Sequence, residues 1–142
     1  MKKYFEKEKV FVMAMTFNDD RTVYHMLKSQ MININVTNEF GENALKWACK
    51  YGYDDIIDYC IETGCFINFQ DMYGKTALIE AAAHDNLSAV KKLIKAGANT
   101  EIRDNINCSA FDYAKQNDNR QIMNELSAVK KREFDNGVKF EK

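Results

Sequence analysis

Residues 71–99 read DMYGKTALIEAAAHDNLSAVKKLIKAGAN, and this stretch decides the fold because its pattern recurs at a constant offset along the chain. When residues 38–70 are placed above residues 71–103, six positions carry identical residues: Gly41 and Gly74, Ala44 and Ala77, Leu45 and Leu78, Ala48 and Ala81, Ile61 and Ile94, Gly64 and Gly97. One further step of the same offset, forward or back, finds similar residues at the matching positions. Self-similarity at one period, here about 33 residues, indicates stacked supersecondary units.

The repeat divides the chain into about four units, at residues 5–37, 38–70, 71–103 and 104–126. We expect residues 1–126 to form one domain, and residues 127–142 to form a charged C-terminal helix extension or tail. A length of 142 residues is also that of one ordinary domain.

Each unit is predicted to contain a helix, a turn, a second helix and a loop. Asn43, Thr76 and Ser109 share one repeat position, where a side-chain oxygen can accept hydrogen bonds from the free amides of a helix start. Leu45 and Ala48 follow at the three-residue spacing of a buried helix face. The turn after the first helix is assigned to residues that tolerate a left-handed backbone. These are Asp19, Gly52, Asp85 and Asp118.

The segments 71–82 and 93–99 resemble the ankyrin repeat, whose pattern is D-x-x-G-x-T-P-L-H-x-A-A with G-A-D-V-N at its end. The resemblance covers about residues 5–126 and implies an all-α solenoid of about four helix-turn-helix units with short β-hairpin-like loops. The sequence departs from the pattern at the usual proline, which is Ala44, Ala77 or Ala110, and at the usual histidine, which is Lys46, Ile79 or Asp112. As a short chain of such repeats, it also resembles stand-alone bacterial ankyrin proteins.

The composition argues against several classes of function. The 20 Lys and Arg residues balance 21 Asp and Glu residues, and the net charge of −1 lacks the basic excess of a nucleic-acid-binding domain. The sequence has no apolar run of the ~18 residues that a membrane helix needs. We therefore expect neither nucleic acid nor a membrane as a partner.

No motif for catalysis, metal or cofactor binding is found. The sequence lacks a Gly-rich phosphate loop, a G-x-S-x-G motif and an H-E-x-x-H motif. The four cysteines form no CxxC pair, which favours reduced thiols in a cytoplasmic protein over the alternative of a disulfide framework. Cys49, Cys60 and Cys65 stand where the repeat requires small core residues, and Cys108 lies near a loop tip.

Charges on the second helices predict ion pairs between units. Asp54, Asp58 and Glu62 form an acidic stripe, and the next unit carries lysines at equivalent positions. Stacked helices lie roughly 8–10 Å apart, a distance that long side chains can bridge. The predicted pairs are Asp58 with Lys91, Glu62 with Lys95, Lys92 with Glu125, and His25 with Asp58. A functional acidic patch is the alternative interpretation.

The resemblance implies a concave face built from the first helices and the loop tips, where members of the family recognise their partners. Many of the mapped positions carry aromatic residues or methionine, which interface cores favour. The predicted partner-binding residues are Phe17, Phe40, Trp47, Lys50, Tyr51, Met72, Tyr73, Glu80, His84, Ile106 and Tyr113. The alternative is that some of these residues are buried and do not contact a partner, above all Trp47 and Tyr113.

These features favour a non-enzymatic module that binds another protein through its concave face. A narrower hypothesis is an inhibitor or immunity protein that blocks a toxin or enzyme. The alternative is a homo-oligomeric structural or scaffold protein that uses the same face on itself, although we expect a monomer.

Overall fold

The computed structural model describes residues 6–135, and these residues form eight α-helices and no strand. The helices are α1 (Glu6–Thr16), α2 (Asp20–Lys28), α3 (Ala44–Tyr51), α4 (Asp54–Glu62), α5 (Ala77–Ala83), α6 (Leu87–Lys95), α7 (Ala110–Gln116) and α8 (Arg120–Asp135). Successive helices pair as α1 with α2, α3 with α4, α5 with α6, and α7 with α8.

The helix pairs stack side by side and produce two layers. In the inner layer α5 packs between α3 and α7, and in the outer layer α2, α4, α6 and α8 pack in order. Leu45 and Leu78 are buried at equivalent positions of α3 and α5, and Phe111 of α7 is half-buried. This arrangement is the all-α solenoid that the repeat predicted.

The predicted helix starts are confirmed at the shared cap position of three units. Asn43 accepts a hydrogen bond from the amide of Lys46 at 2.9 Å, and Thr76 accepts one from Ile79 at 3.2 Å. Ser109 caps α7 in the same way. Three different side chains can cap these helices, because each carries an oxygen that accepts a hydrogen bond from a free amide of the first turn.

The left-handed turn after the first helix is confirmed in three units, but its assignment in the first unit is wrong by one residue. Gly52, Asp85 and Asp118 have φ values of 83°, 58° and 52°. In the first unit Asn18 has the positive φ, 56°, whereas Asp19 caps α2 and accepts a hydrogen bond from Thr22. Asn18 precedes Gly52 by one position more than the period, so a constant step along the sequence misplaces this turn.

Three loop tips at equivalent positions of successive units share one hydrogen-bonded geometry. A side-chain oxygen of Asn38, Asp71 or Asp104 accepts two backbone amides of its own tip at 2.9–3.1 Å. Successive tips are also joined by backbone bonds of 3.0 Å, from Met72 to Phe40 and from Asn105 to Tyr73. The loop tips therefore stack on one another in the same order as the helices.

The outer-face ion pairs join neighbouring units, but the predicted partners are wrong. Lys92 pairs with Asp58 at 2.8 Å and with Asp54 at 3.9 Å, whereas Lys91 pairs with Glu125 at 4.0 Å. Adjacent residues of a helix point about 100° apart. Lys92 therefore faces back to α4, and Lys91 faces onward to α8.

The helix α8 continues to Asp135 and includes the basic run Lys130-Lys131-Arg132. Lys130 lies 3.9 Å from Glu101 of the preceding unit. The rest of the predicted tail, residues 136–142, lies outside the described residues, as do residues 1–5 at the other end.

Candidate functional site: the concave groove

A groove of about 530 Å³ lies between the inner helices and the loop tips. Its walls come from α1, α3, α5 and the tips of the second and third units. The lining residues are Met15, Thr16, Asn38, Phe40, Glu42, Trp47, Lys50, Tyr51, Asp71, Tyr73, Lys75, Glu80 and His84. We call this site the concave groove.

Seven of the predicted partner-binding residues line the concave groove. They are Phe40, Trp47, Lys50, Tyr51, Tyr73, Glu80 and His84. The other four, Phe17, Met72, Ile106 and Tyr113, do not line it. Phe17, Met72 and Ile106 are exposed nonetheless. Phe17 lies just after α1, Met72 and Ile106 lie at two tips, and Tyr113 is half-buried in α7.

Three aromatic rings stand half-exposed at the groove. Phe40 and Tyr73 come from successive tips, and Tyr51 comes from the C-terminal end of α3. The Lys50 ammonium lies 5.4 Å from the centre of the Tyr51 ring. Apolar surface left in water costs free energy in proportion to its area, so these rings favour a covered state.

Trp47 and Glu80 line the groove from beneath its surface. Trp47 is only 3% exposed, donates its indole N–H to Asn18 at 3.3 Å, and packs 4.7 Å from the ring of Tyr53. Glu80 is 4% exposed and pairs with Lys75 at 3.8 Å. Both residues support the groove more than they present a surface to a partner.

Oppositely charged side chains that line the groove form ion pairs with each other. Glu42 lies 3.9 Å from Lys50, and the Lys75 ammonium is shared between Glu80 and the ring of Tyr113, at 5.5 Å from the ring centre. The pairs leave the groove without a strong net charge. The chemistry that the groove can offer is therefore aromatic contact combined with paired charges.

His84 ends α5 at the edge of the groove. Its Nδ1 lies 2.9 Å from the carbonyl oxygen of Glu80. Because a carbonyl only accepts, Nδ1 is the donor in this contact.

Sequence reasoning assigned the contribution of the first unit to Phe17 and missed Met15 and Thr16, which α1 places on the groove wall. Thr16 precedes Lys50 by one position more than the period, so the constant step does not pair them. The signal that could have found Thr16 was the Asn18-Asp19 pair, since Asn favours the left-handed turn and Asp the following cap.

The described part of the chain, residues 6–135, contains no group of three His, Cys, Asp or Glu residues that could hold a metal ion. None of its helices combines the length and the apolar composition needed to cross a membrane.

A stack of helix pairs with a groove along its inner layer defines a helical-repeat module. The chain belongs to the ankyrin repeat family, because a family model described as ankyrin repeats (3 copies) matches residues 11–104. Ankyrin repeats are non-enzymatic modules of protein–protein interaction.

Relatives of the chain are larger proteins from animals and a virus. BCL-6 corepressor of Homo sapiens is 37% identical over 78 residues, 54% of this chain and 4% of that protein. E3 ubiquitin-protein ligase hecd-1 of Caenorhabditis elegans is 27% identical over 105 residues, 72% of this chain and 4% of that protein. Putative ankyrin repeat protein L92 of Acanthamoeba polyphaga mimivirus is 34% identical over 71 residues, 49% of this chain and 17% of that protein.

The chain thus spans less than a fifth of each of these three relatives. Their sources give no support to the bacterial character expected from the sequence.

Proposed function

We propose that the protein binds a segment of another protein in the concave groove. The observation that carries the proposal is the trio of half-exposed rings, Phe40, Tyr51 and Tyr73, which line one groove together with paired charges. Aromatic residues are the usual energetic anchors of interfaces. The rest of the groove then supplies shape and polar contacts, and we assign no catalytic step to the chain.

The test is a double substitution, Tyr51→Ala with Tyr73→Ala. Both side chains are half-exposed, so we expect the fold to survive and partner affinity to fall by more than about 2 kcal/mol, the loss typical of anchor residues. The matched control is Phe66→Ala with Phe134→Ala, which removes exposed rings outside the groove. A pull-down should recover the partner with the wild type and the control but not with the double variant.

Circular dichroism of all three proteins separates lost binding from lost folding. Partner affinity that is unchanged in the Tyr51/Tyr73 variant contradicts the proposed site. An equal loss in the Phe66/Phe134 control contradicts it as well, because the effect would then not be specific to the groove.

The narrower form of the proposal is an inhibitor or immunity protein of a toxin or enzyme. It predicts a tight one-to-one complex in which the enzyme loses its activity, measured by titrating the enzyme with this protein. A cytoplasmic location belongs to the same proposal. All four cysteines are free in the structure, as thiols are in a reducing compartment.

The second candidate function is a homo-oligomeric scaffold, favoured by the exposed rings of Phe40 and Tyr73 at neighbouring tips. Sedimentation of the purified protein distinguishes the two candidates. We expect a monomer, whereas a dimer that dissociates on Phe40→Ala and Tyr73→Ala would favour the scaffold.

A further inference from the structure

Two thiols lie against each other at the C-terminal end of α4, outside the concave groove. Cys60 belongs to the last turn of the helix and is fully buried, whereas Cys65 lies just after the helix and is only partly buried. The backbone of the helix end brings these two residues side by side. Cys60 is thus shielded from solvent on all sides while Cys65 is open to a small reagent.

The backbone holds this pair in place. Gly64, with φ of 77°, turns the chain back at the helix end, and the amide of Cys65 donates to the carbonyl of Cys60 at 3.1 Å. This is the closing hydrogen bond of a left-handed helix end, which fixes residues five apart beside each other. A disulfide requires two such neighbouring backbones, with α-carbons roughly 4.4–6.8 Å apart.

The two thiols lie in different environments, and their pKa values are therefore shifted in opposite directions. A hydrogen bond from Cys60 lowers the pKa of Cys65 despite its partial burial. The same bond and full burial raise the pKa of Cys60, with further contributions from the neighbouring Cys65 and Cys49. Because the thiolate is the reactive form and only Cys65 is open to solvent, Cys65 is the nucleophile toward a dissolved reagent, and Cys60 begins as its protonated partner.

We propose that Cys60 and Cys65 are a redox modification site, and that a peroxide converts them to a reversible disulfide. The Cys65 thiolate attacks one oxygen of hydrogen peroxide, the O–O bond breaks, hydroxide leaves, and Cys65 becomes a sulfenic acid. The sulfenic acid no longer places a thiolate charge beside Cys60, so Cys60 can give up its proton. Its sulfur then attacks the Cys65 sulfur, the S–S bond forms and the S–O bond breaks. The Cys60 proton and the departing hydroxide form water, so that two thiols are oxidised for each peroxide reduced.

The third nearby thiol, Cys49, is excluded from the proposal by its surroundings. It is fully buried in α3, away from the helix end that holds Cys60 beside Cys65, and burial raises its pKa above the ordinary value of a thiol. The proposal therefore predicts one specific pair among the four cysteines.

The chain itself offers a sharp test by peptide mapping. Trypsin should release residues 51–75, and a glutamate-specific protease then cuts after Glu62, between the two cysteines. Cys49 and Cys108 fall in two other tryptic peptides. After treatment of the full chain with an equimolar amount of hydrogen peroxide, free thiols are blocked and the digest is analysed without reductant.

We expect the peptides of Cys60 and Cys65 to remain linked, to be lighter by two hydrogens than their sum, and to separate with dithiothreitol. Cys49 and Cys108 should be recovered as blocked thiols. The proposal is overturned if Cys60 and Cys65 are both recovered blocked, if Cys65 is linked to Cys49, or if Cys65 is found only as an unlinked sulfinic acid.

Two variants separate the roles of the pair. In Cys65→Ser, a change at a partly exposed position, Cys60 should no longer react with peroxide. In Cys60→Ala, Cys65 should stop at the sulfenic acid and be trapped by dimedone. Cys108→Ser is the control and should leave the linked peptides unchanged. Oxidation of Cys60 in the Cys65→Ser protein would overturn the assignment of the nucleophile, even if Cys60→Ala fails to fold.

Discussion

Lys46 and Asp71 form a buried ion pair that joins the second unit to the third. Their side chains are only 1% and 4% exposed, and the Lys46 ammonium contacts Oδ2 of Asp71 directly. The other oxygen of Asp71 accepts the amides of Tyr73 and Lys75, each at 2.9 Å. The pair therefore ties the inner helix of one unit to the loop tip of the next.

In the following tip, the equivalent carboxylate oxygen belongs to Asp104 and has a different hydrogen-bond donor. At the position equivalent to Lys46 the third unit has Ile79, and Oδ2 of Asp104 accepts the hydroxyl of Tyr113. Burial alone would raise the pKa of Asp104. The hydrogen bonds from Tyr113 and from two backbone amides outweigh burial and hold that pKa below its ordinary value.

The first prediction concerns the charge pair at this junction. Lys46→Ile copies the residue of the third unit but leaves the Asp71 carboxylate buried without its cation. Asp71→Asn copies the neutral Asn38 tip but leaves the Lys46 ammonium buried. Each single substitution should reduce the free energy of unfolding by about 3–5 kcal/mol, the usual cost of removing one partner of a buried pair.

The double variant, Lys46→Ile with Asp71→Asn, should recover much of that loss because no uncompensated charge remains. Urea unfolding of the four proteins measures the coupling between the two sites. Losses that simply add in the double variant would show that the two charges do not interact.

The second prediction concerns the packing of the tips against each other. A Cβ added to Gly74 would lie 2.9 Å from the backbone nitrogen of Asn105 and 3.1 Å from the α-carbon of Asp104. Gly64 has the same φ of 77° but nothing within 4 Å of its Cβ position. Gly64→Ala should therefore cost about 1–2 kcal/mol for its left-handed backbone alone.

Gly74→Ala should cost about 1–3 kcal/mol more than Gly64→Ala, because a fixed backbone must move to make room. Thermal unfolding of the two variants gives the comparison. Equal losses would mean that the contact between neighbouring tips is loose.

The helices, their caps and their stacking could be predicted from sequence, since each depends on residues that recur once in every unit. Asn43, Thr76 and Ser109 show why, because a cap requires only an oxygen at the right position. The tip of the fourth unit has Asn107 in place of glycine and still adopts a φ of 66°. Asn tolerates this conformation better than most residues, so that substitution preserves the turn.

Two kinds of feature could not be read from the period. The one-residue shift at Asn18 breaks the constant step, and with it the contribution of Thr16 to the groove. The pairing of Lys92 with Asp58 depends on which side of a helix faces its neighbour, and the direction of each side chain is not contained in the repeat spacing. Burial of Lys46 likewise depends on an acceptor in the next unit, Asp71.

The third prediction concerns acid stability through the capping box of α7. The amide and hydroxyl of Ser109 and the guanidinium of Arg103 hold the pKa of Asp112 below its ordinary value, against the effect of burial. A carboxyl whose pKa is lower in the folded protein contributes stability above its unfolded pKa, near 3.8. This contribution is lost as the pH falls through the lower, folded pKa.

Asp112→Asn should therefore be less stable than the wild type at pH 7, and the difference should shrink as the pH falls below about 4. Urea unfolding midpoints at a series of pH values measure this convergence. Asp118→Asn, at an exposed turn position, is the control and should match the wild type at pH 7. A difference for Asp112→Asn that persists unchanged to pH 2 would contradict the role assigned to its charge.

The fourth prediction concerns Asn86, which has two functions in the stack. Its side-chain oxygen caps α6 by accepting the amide of Ala89 at 3.1 Å, and its side-chain nitrogen donates to the carbonyl of Cys49 at 3.0 Å. Asn86→Ala removes both bonds and should cost about 1–3 kcal/mol. Asn86→Ser keeps a capping oxygen but is too short to reach Cys49, and should lose about 0.5–1.5 kcal/mol, the value of one hydrogen bond.

The ranking of the two Asn86 variants separates the local role from the role between units. Amide hydrogen exchange adds a second measure, since Asn86→Ser should increase exchange at the end of α3 while α6 stays protected. If Asn86→Ser is as stable as the wild type, the bond to Cys49 contributes nothing to the junction between the second and third units.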